Sequence, residues 1–197
     1  MFKELVFFLE EPSAQALLET LLPRLLDASI TPRFVVFEGK QDLERQLERR
    51  LRGYQNTMAR FVVMRDQDGA PDCRTVKAGL LLKCQQAGRA GQTLVRIACR
   101  ELETFYLADL AAVETALDLP GVAQQQQRAK FRHPDTDLGS PADELGKLTG
   151  YAYQKVRDSR LLGQHLELTN ERSPSFKNLL GAIRRLEAEL LTMPDAW

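Results

Sequence analysis

Four short apolar runs constrain this chain more than any other feature: LVFFL at 5–9, FVVF at 34–37, FVVM at 61–64 and LVRIAC at 94–99. Each is too short for a helix of ordinary length and rich in aromatic or β-branched residues, so each reads as a strand. Stretches with helical spacing lie between them. Pro12 and Ser13 open the first, where Leu17, Leu18, Leu21, Leu22, Leu25 and Leu26 recur on one face and Pro23 predicts a kink or break. Residues 41–53 form the second, with Leu43, Leu47 and Leu51 at steps of four and Gly53 as its stop. The third follows Asp72, a natural N-cap, and uses Val76, Leu80, Leu81 and Leu82. Strands alternating with helices predict parallel strands joined by crossover helices. The first three runs are continuous, as strands covered on both faces should be, and Arg96 alone interrupts the fourth.

The pattern changes after residue 100. Glu101 to Leu117 reads as one helix, and 118–140 as irregular chain. Helices are expected at about 141–149 and 151–163. A last helix starts at Ser173-Pro174, with Phe176, Leu179, Leu180, Ile183, Leu186 and Leu190 as its apolar stripe. The expected fold is an α/β sheet of about four parallel strands over residues 1–110, with a helical extension over 111–197 packed on it.

Charge and composition exclude several classes. There are 27 basic and 27 acidic side chains, so no global field draws the chain to nucleic acid. No apolar run approaches the roughly 20 residues of a membrane-spanning helix. The opening MFKELVFFLEEPS carries too short an apolar stretch for a secretory signal, which points to the cytoplasm. Cys73, Cys84 and Cys99 are odd in number and form no C-x-x-C, against a disulfide framework or zinc site. Neither a phosphate-cradling glycine loop nor an EF-hand fits: after D-x-D, Gly69 falls at the fourth position and Lys77 stands where a calcium loop closes with glutamate. His133 and His165 sit in no recognisable catalytic setting.

What remains is acidic. Ligands of open parallel sheets bind beyond the carboxyl ends of the strands. Glu10 and Glu11 end the first strand, Asp66 and Asp68 the third, and Glu101 and Glu103 follow the fourth. Oxygen donors without histidine or cysteine suit Mg²⁺ or Mn²⁺. On an extended segment, D-x-D turns both side chains the same way. Taken alone, D-x-D-G is also the composition of a capped turn.

A strand ending in glutamate, a crossover, and a strand ending in D-x-D resembles the TOPRIM domains of topoisomerases, primases and OLD-family nucleases. LEEPSAQALLETLLPRL, RDQDGAPDCRTVKAGL, RIACRELETFYLADL and NERSPSFKNLLGAIRRL resemble, in order, four segments of a family of bacterial TOPRIM-like proteins, domain of unknown function 4276. The resemblance spans nearly the whole chain. It implies a metal-binding set of Glu10, Asp66, Asp68 and Glu103, with Glu101 the alternative to Glu103, and a catalytic pair of Glu10, in acid–base chemistry, and Lys155. Glu11 stands where the family usually has glycine; it either alters the turn or supplies an extra carboxylate.

The function implied is a Mg²⁺- or Mn²⁺-dependent nuclease or related phosphoryl-transfer enzyme acting on DNA or RNA. The resemblance adds a defence or toxin-like role beside an ABC-type or AAA ATPase. The alternative is a non-catalytic module of the same fold that docks on such a partner. Beyond Lys155, the candidates for phosphate contact are Arg157 and Arg160 on one helix, and Arg172, Ser173 and Ser175 at a helix start. Asp72 and Asp109 are candidates for either capping or the site, and Phe105 and Tyr106 for the core.

Overall fold

A computed structural model describes residues 2–194 of the chain. Four parallel strands, β1 (Glu4–Leu9), β2 (Thr31–Val36), β3 (Ala59–Asp66) and β4 (Thr93–Ala98), form one sheet in the order β2-β1-β3-β4. Helices α1 (Pro12–Leu21), α2 (Lys40–Arg52) and α3 (Cys73–Gln86) make the crossovers. The strand starts and ends differ from the apolar runs by a few residues. Hydrogen bonding carries β2 back to Thr31, for example, where the side chains are exposed.

Side-chain alternation divides each strand between two cores. Leu5, Phe7, Leu9, Val62 and Met64 face α1 and the C-terminal helices. Val6, Phe8, Phe61, Val63 and Val95 face α2 and α3. Both faces are therefore dry, which is why the runs are continuous in sequence. α1 ends near Pro23, where a 3₁₀ turn over Leu22–Arg24 takes over, as the proline predicts.

The helical segment after β4 is more broken than its periodicity suggests. Glu101–Leu117 is not one helix but two, α4 (Glu103–Leu107) and α5 (Leu110–Leu117). Asp109 separates them: its carboxylate caps the Ala112 N–H at 3.2 Å and accepts the Glu167 N–H at 2.8 Å. Residues 118–140 are not wholly irregular; they hold two 3₁₀ turns and the single-turn α6 (Pro134–Asp137). α7 (Pro141–Leu148) and α8 (Lys155–Leu162) follow. α8 begins later than position 151 because Gly150 and Tyr151 both take left-handed backbone, at φ 58° and 62°.

α9 (Pro174–Leu191) starts as expected, with Ser173 Oγ accepting the Phe176 N–H. It lies across β1, β3 and β4, while α8 packs on α1. Gly163, just past α8, makes that second contact close. A Cβ there would stand 2.2 Å from Thr20 Oγ1 and 2.5 Å from the Leu17 carbonyl oxygen. This packing brings Lys155, at the first turn of α8, to the carboxyl edge of the sheet.

Candidate acidic site at the sheet's switch point

The strand order reverses between β1 and β3: the chain moves from β1 outward to β2, then crosses back to β3. A crevice opens beyond the carboxyl ends at such a point. Glu10 leaves β1 there, and Asp66 is the last residue of β3. Leu9 pairs with Met64, so the two acids emerge from neighbouring strands almost level with each other. The Asp66 N–H donates to Glu10 Oε2 at 3.0 Å.

Asp66 is 8% exposed. Burial holds its carboxyl well above the usual carboxylate range, and the charges of Glu11, Glu103 and Glu10 push it further. The Leu102 N–H is the counterweight. Burial also raises Glu10, helped by Asp68 and Glu11 and opposed by the Asp66 N–H and Arg65.

Glu103, the first residue of α4, is fully buried. Its Oε1 accepts the Tyr153 hydroxyl at 3.1 Å and faces Lys155 Nζ at 3.6 Å. Its Oε2 has no partner among the described residues. Burial raises this carboxyl, with Lys155 pulling the other way. A buried carboxylate oxygen without a donor is costly, and nearly every such group in a folded protein has a partner.

Lys155 Nζ also lies 3.5 Å from Glu11 Oε2. Burial works against its charge, but Glu103, Glu11 and Asp66 outweigh it and the ammonium is held more tightly than usual. Glu11 does not alter the turn. Its φ is −143°, extended backbone that needs no glycine, so the side chain simply adds a carboxylate.

Asp68 goes elsewhere. β3 stops at Asp66, and Asp68 takes left-handed backbone at φ 53°. The two-residue alternation expected for D-x-D therefore does not reach it. Its carboxylate pairs with Lys40 Nζ at 3.0 Å and lies 3.7 Å from Arg65 Nη2. Glu101 is also diverted, accepting the Ala142 N–H at 2.7 Å to start α7. Asp72 caps α3 through the Thr75 N–H at 2.8 Å.

Three neighbours of the site carry little or no signal in the sequence. Arg65, 5% exposed, stands 3.7 Å from Glu10 and 2.5 Å from Glu44 and bonds the Asp66 carbonyl. Its only sequence signal is one charge inside an apolar strand. Lys40 holds Asp68, and Tyr153 holds Glu103. The other basic candidates are engaged: Arg157 with Asp158, Arg160 with Glu19, and Arg172 with the Ala108 carbonyl at 3.5 Å. The start of α9 is filled by the chain's own Asp135, which accepts from Ser173 Oγ and the Ser175 N–H. Phe105 and Tyr106 are core.

Among the described residues, no three acidic, histidine or cysteine side chains stand gathered as a cation cage. The donor set nevertheless fits a hard divalent cation chemically. It is all oxygen, its charge is under-compensated, and one buried oxygen lacks a partner among the described residues.

An open parallel sheet with acids beyond β1, at the end of β3 and after β4, gathered at its switch point, defines an α/β protein with an acidic carboxyl edge. The chain belongs to the family described as Domain of unknown function (DUF4276), whose model matches residues 9–184. Among solved structures it is similar to the C-terminal region of the OLD protein of Burkholderia pseudomallei, at 18% identity and a TM-score of 0.51, covering 95% of this chain and 100% of that one. At that identity the likeness concerns the fold. No curated protein matches the chain.

Proposed function

We propose that the chain is a divalent-metal-dependent nuclease or related phosphoryl-transfer enzyme acting on nucleic acid. The observation that carries this reading is the convergence of half-buried Glu10 with buried Asp66 and Glu103 at the carboxyl edge of the sheet, where Glu103 Oε2 has no partner among the described residues. Glu10, Asp66 and Glu103 are the residues to hold Mg²⁺ or Mn²⁺, with Asp68 a further donor if it leaves Lys40. The bound ion would supply charge stabilisation at the attacking and leaving oxygens of a phosphodiester.

The chain's own residues supply the rest. Tyr153, whose phenol burial keeps protonated, fixes the Glu103 carboxylate by donating to it. Lys155 remains charged at neutral pH, so it acts as a phosphate contact rather than a base. Where Asp66 and Glu103 hold the ion without it, Glu10, with its raised carboxyl, is the group suited to carry a proton to a leaving oxygen.

A second reading has its own support. Lys40, Arg65 and Lys155 already pair with acids of the crevice, as in a fold kept for docking rather than chemistry. In both readings we take the partner to be an ABC-type or AAA ATPase. That the similar OLD structure is the C-terminal region of a larger protein supports a fold that works beside another domain. Among the described residues no helix is long and apolar enough to cross a membrane; we place the protein in the cytoplasm.

The test is cleavage of mixed DNA and RNA with Mn²⁺, with and without the ATPase, by wild type and by Asp66→Asn and Glu10→Gln variants. Cleavage lost in both variants supports the enzyme. Equal behaviour of all three proteins, together with no Mn²⁺ binding by calorimetry, would leave the docking module.

A further inference from the structure

Cys73 and Cys99 come from different elements and meet in one place. Cys73 is the first residue of α3, and Cys99 directly follows β4. Both are free and partly exposed, and both line a single cavity of about 340 Å³ with Asp135 and Ser175. Burial pushes the Cys99 thiol up to about 12, and Cys73 beside it adds to that rise.

Their approach is built into the backbone. The Gln67 N–H donates to the Ala98 carbonyl at 3.0 Å, and the Asp68 N–H to the Arg100 carbonyl at 2.8 Å. The Arg100 N–H returns a bond to Gln67 Oε1 at 3.2 Å. The β3–β4 ladder thus continues past both strand ends, holding the loop that leads to Cys73 against the segment that contains Cys99. Cys84, the third thiol, is fully buried in the core under α3 and takes no part.

We propose that Cys73 and Cys99 form a reversible oxidation site that closes to an intrachain disulfide, stapling the β3–α3 loop to the β4–α4 segment. The oxidant is a hydroperoxide. Each thiol gives up one proton and one electron, the S–S bond forms, the O–O bond breaks, and the hydroperoxide leaves as one alcohol and one water. A dithiol reverses the step by exchange. The staple would bind together the segment that follows Asp66 and the one that precedes Glu103. It stands whether or not the crevice cleaves anything.

The test treats the full chain with tert-butyl hydroperoxide and then labels thiols under denaturing conditions. The expected product is lighter by two hydrogens, keeps one labelled thiol of the three, yields a Cys73–Cys99 linked peptide, and regains all three thiols with dithiothreitol. Amide exchange over residues 67–72 and 99–102 should slow severalfold in the oxidised form. Cys73→Ser and Cys99→Ala should each keep both remaining thiols under the same treatment. Three labelled thiols in oxidised wild type, a cross-link only between chains, or loss of two thiols in the Cys99→Ala variant would overturn the proposal.

Discussion

The main chain of Asp66 donates to the side chain of Glu10 at 3.0 Å. One hydrogen bond thus joins the ends of the two central strands and holds two acids of the crevice in register. It lowers the cost of charge on Glu10 while leaving the Asp66 carboxyl among negative neighbours.

That asymmetry sets a pH dependence. Asp66 has its folded carboxyl raised above the unfolded value, near 3.8. The folded state therefore binds the proton more tightly than the unfolded one. Stability from this group is full below the unfolded value and is lost as pH rises through the raised folded value. Asp66→Asn keeps the acceptor for the Leu102 N–H and removes the charge. It should be more stable than wild type at pH 7, by roughly 1.4 kcal/mol for every tenfold by which folding tightens proton binding at Asp66. Its urea midpoint should vary less with pH from the unfolded value upward; Glu10 and Glu103 leave a residue of the slope. A variant no more stable than wild type at pH 7 without divalent cation would contradict the electrostatic picture of the crevice.

Tyr153 should matter mainly through Glu103, with Ser159 a lesser neighbour of its hydroxyl. Tyr153→Phe takes away the donor to Oε1 and leaves Lys155 as the remaining partner of a fully buried carboxylate. A loss of about 1–3 kcal/mol is expected at neutral pH. In the background of Glu103→Leu the same change should cost much less, because the acceptor is gone. Urea unfolding of the four proteins gives the coupling, and a coupling near zero would remove Tyr153 from the site.

The strands are legible in the sequence because their side chains are covered on both faces, so the apolar runs are unbroken. The break between α4 and α5 is not, because Leu102 to Leu117 keeps helical periodicity throughout. Asp109, a capping candidate in the sequence, does cap α5, but its second bond, to the distant Glu167 backbone, is one that no local pattern records. Strand-end logic brings out six acids, Glu10, Glu11, Asp66, Asp68, Glu101 and Glu103, and the resemblance, not that logic, prefers Glu103 to Glu101. Neither places Arg65, since a strand dry on both faces has no polar side on which a charge would be expected. Strand alternation misaims Asp68 because its left-handed backbone lies two residues beyond the end of β3.

Asp72 separates capping from site chemistry. Its carboxylate bonds the Thr75 N–H and hydroxyl at the start of α3. Asp72→Ala should lower stability by loss of the α3 cap. Mn²⁺ affinity measured by calorimetry should not change. A tenfold loss of affinity in the folded variant would show that this aspartate belongs to the site.

Gly163 tests how Lys155 is placed. An alanine Cβ would overlap Thr20 Oγ1 and the Leu17 carbonyl, and a carbonyl within a helix cannot step aside as a side chain end can. Gly163→Ala should cost about 1–3 kcal/mol, lowering the melting temperature by roughly 2–4 °C per kcal/mol in a chain of this size. Moving α8 away from α1 also moves Lys155 from Glu11 and Glu103. NMR titration should then show the Glu103 carboxyl further raised, since Lys155 is its chief counterweight.

Glu11 is the residue in which this chain departs from the family pattern it resembles, and its replacement separates backbone from charge. The extended backbone at 11 tolerates any side chain, so Glu11→Gln should fold as wild type does. Glu11 is, after burial, the largest influence raising Asp66. Removing its charge should therefore lower the Asp66 carboxyl, read by side-chain NMR, and narrow the pH window in which that group weakens the fold. Lys155 loses one of its two carboxylate partners and becomes easier to deprotonate. Glu11→Gly should move Asp66 the same way, with an added loss of about 0.5–1 kcal/mol from glycine's freedom in the unfolded chain. If the two variants shift Asp66 by different amounts, the side chain at 11 acts through the turn after all. If they agree, the extra carboxylate acts on Asp66 through its charge alone, raising the cost of a second negative group beside it.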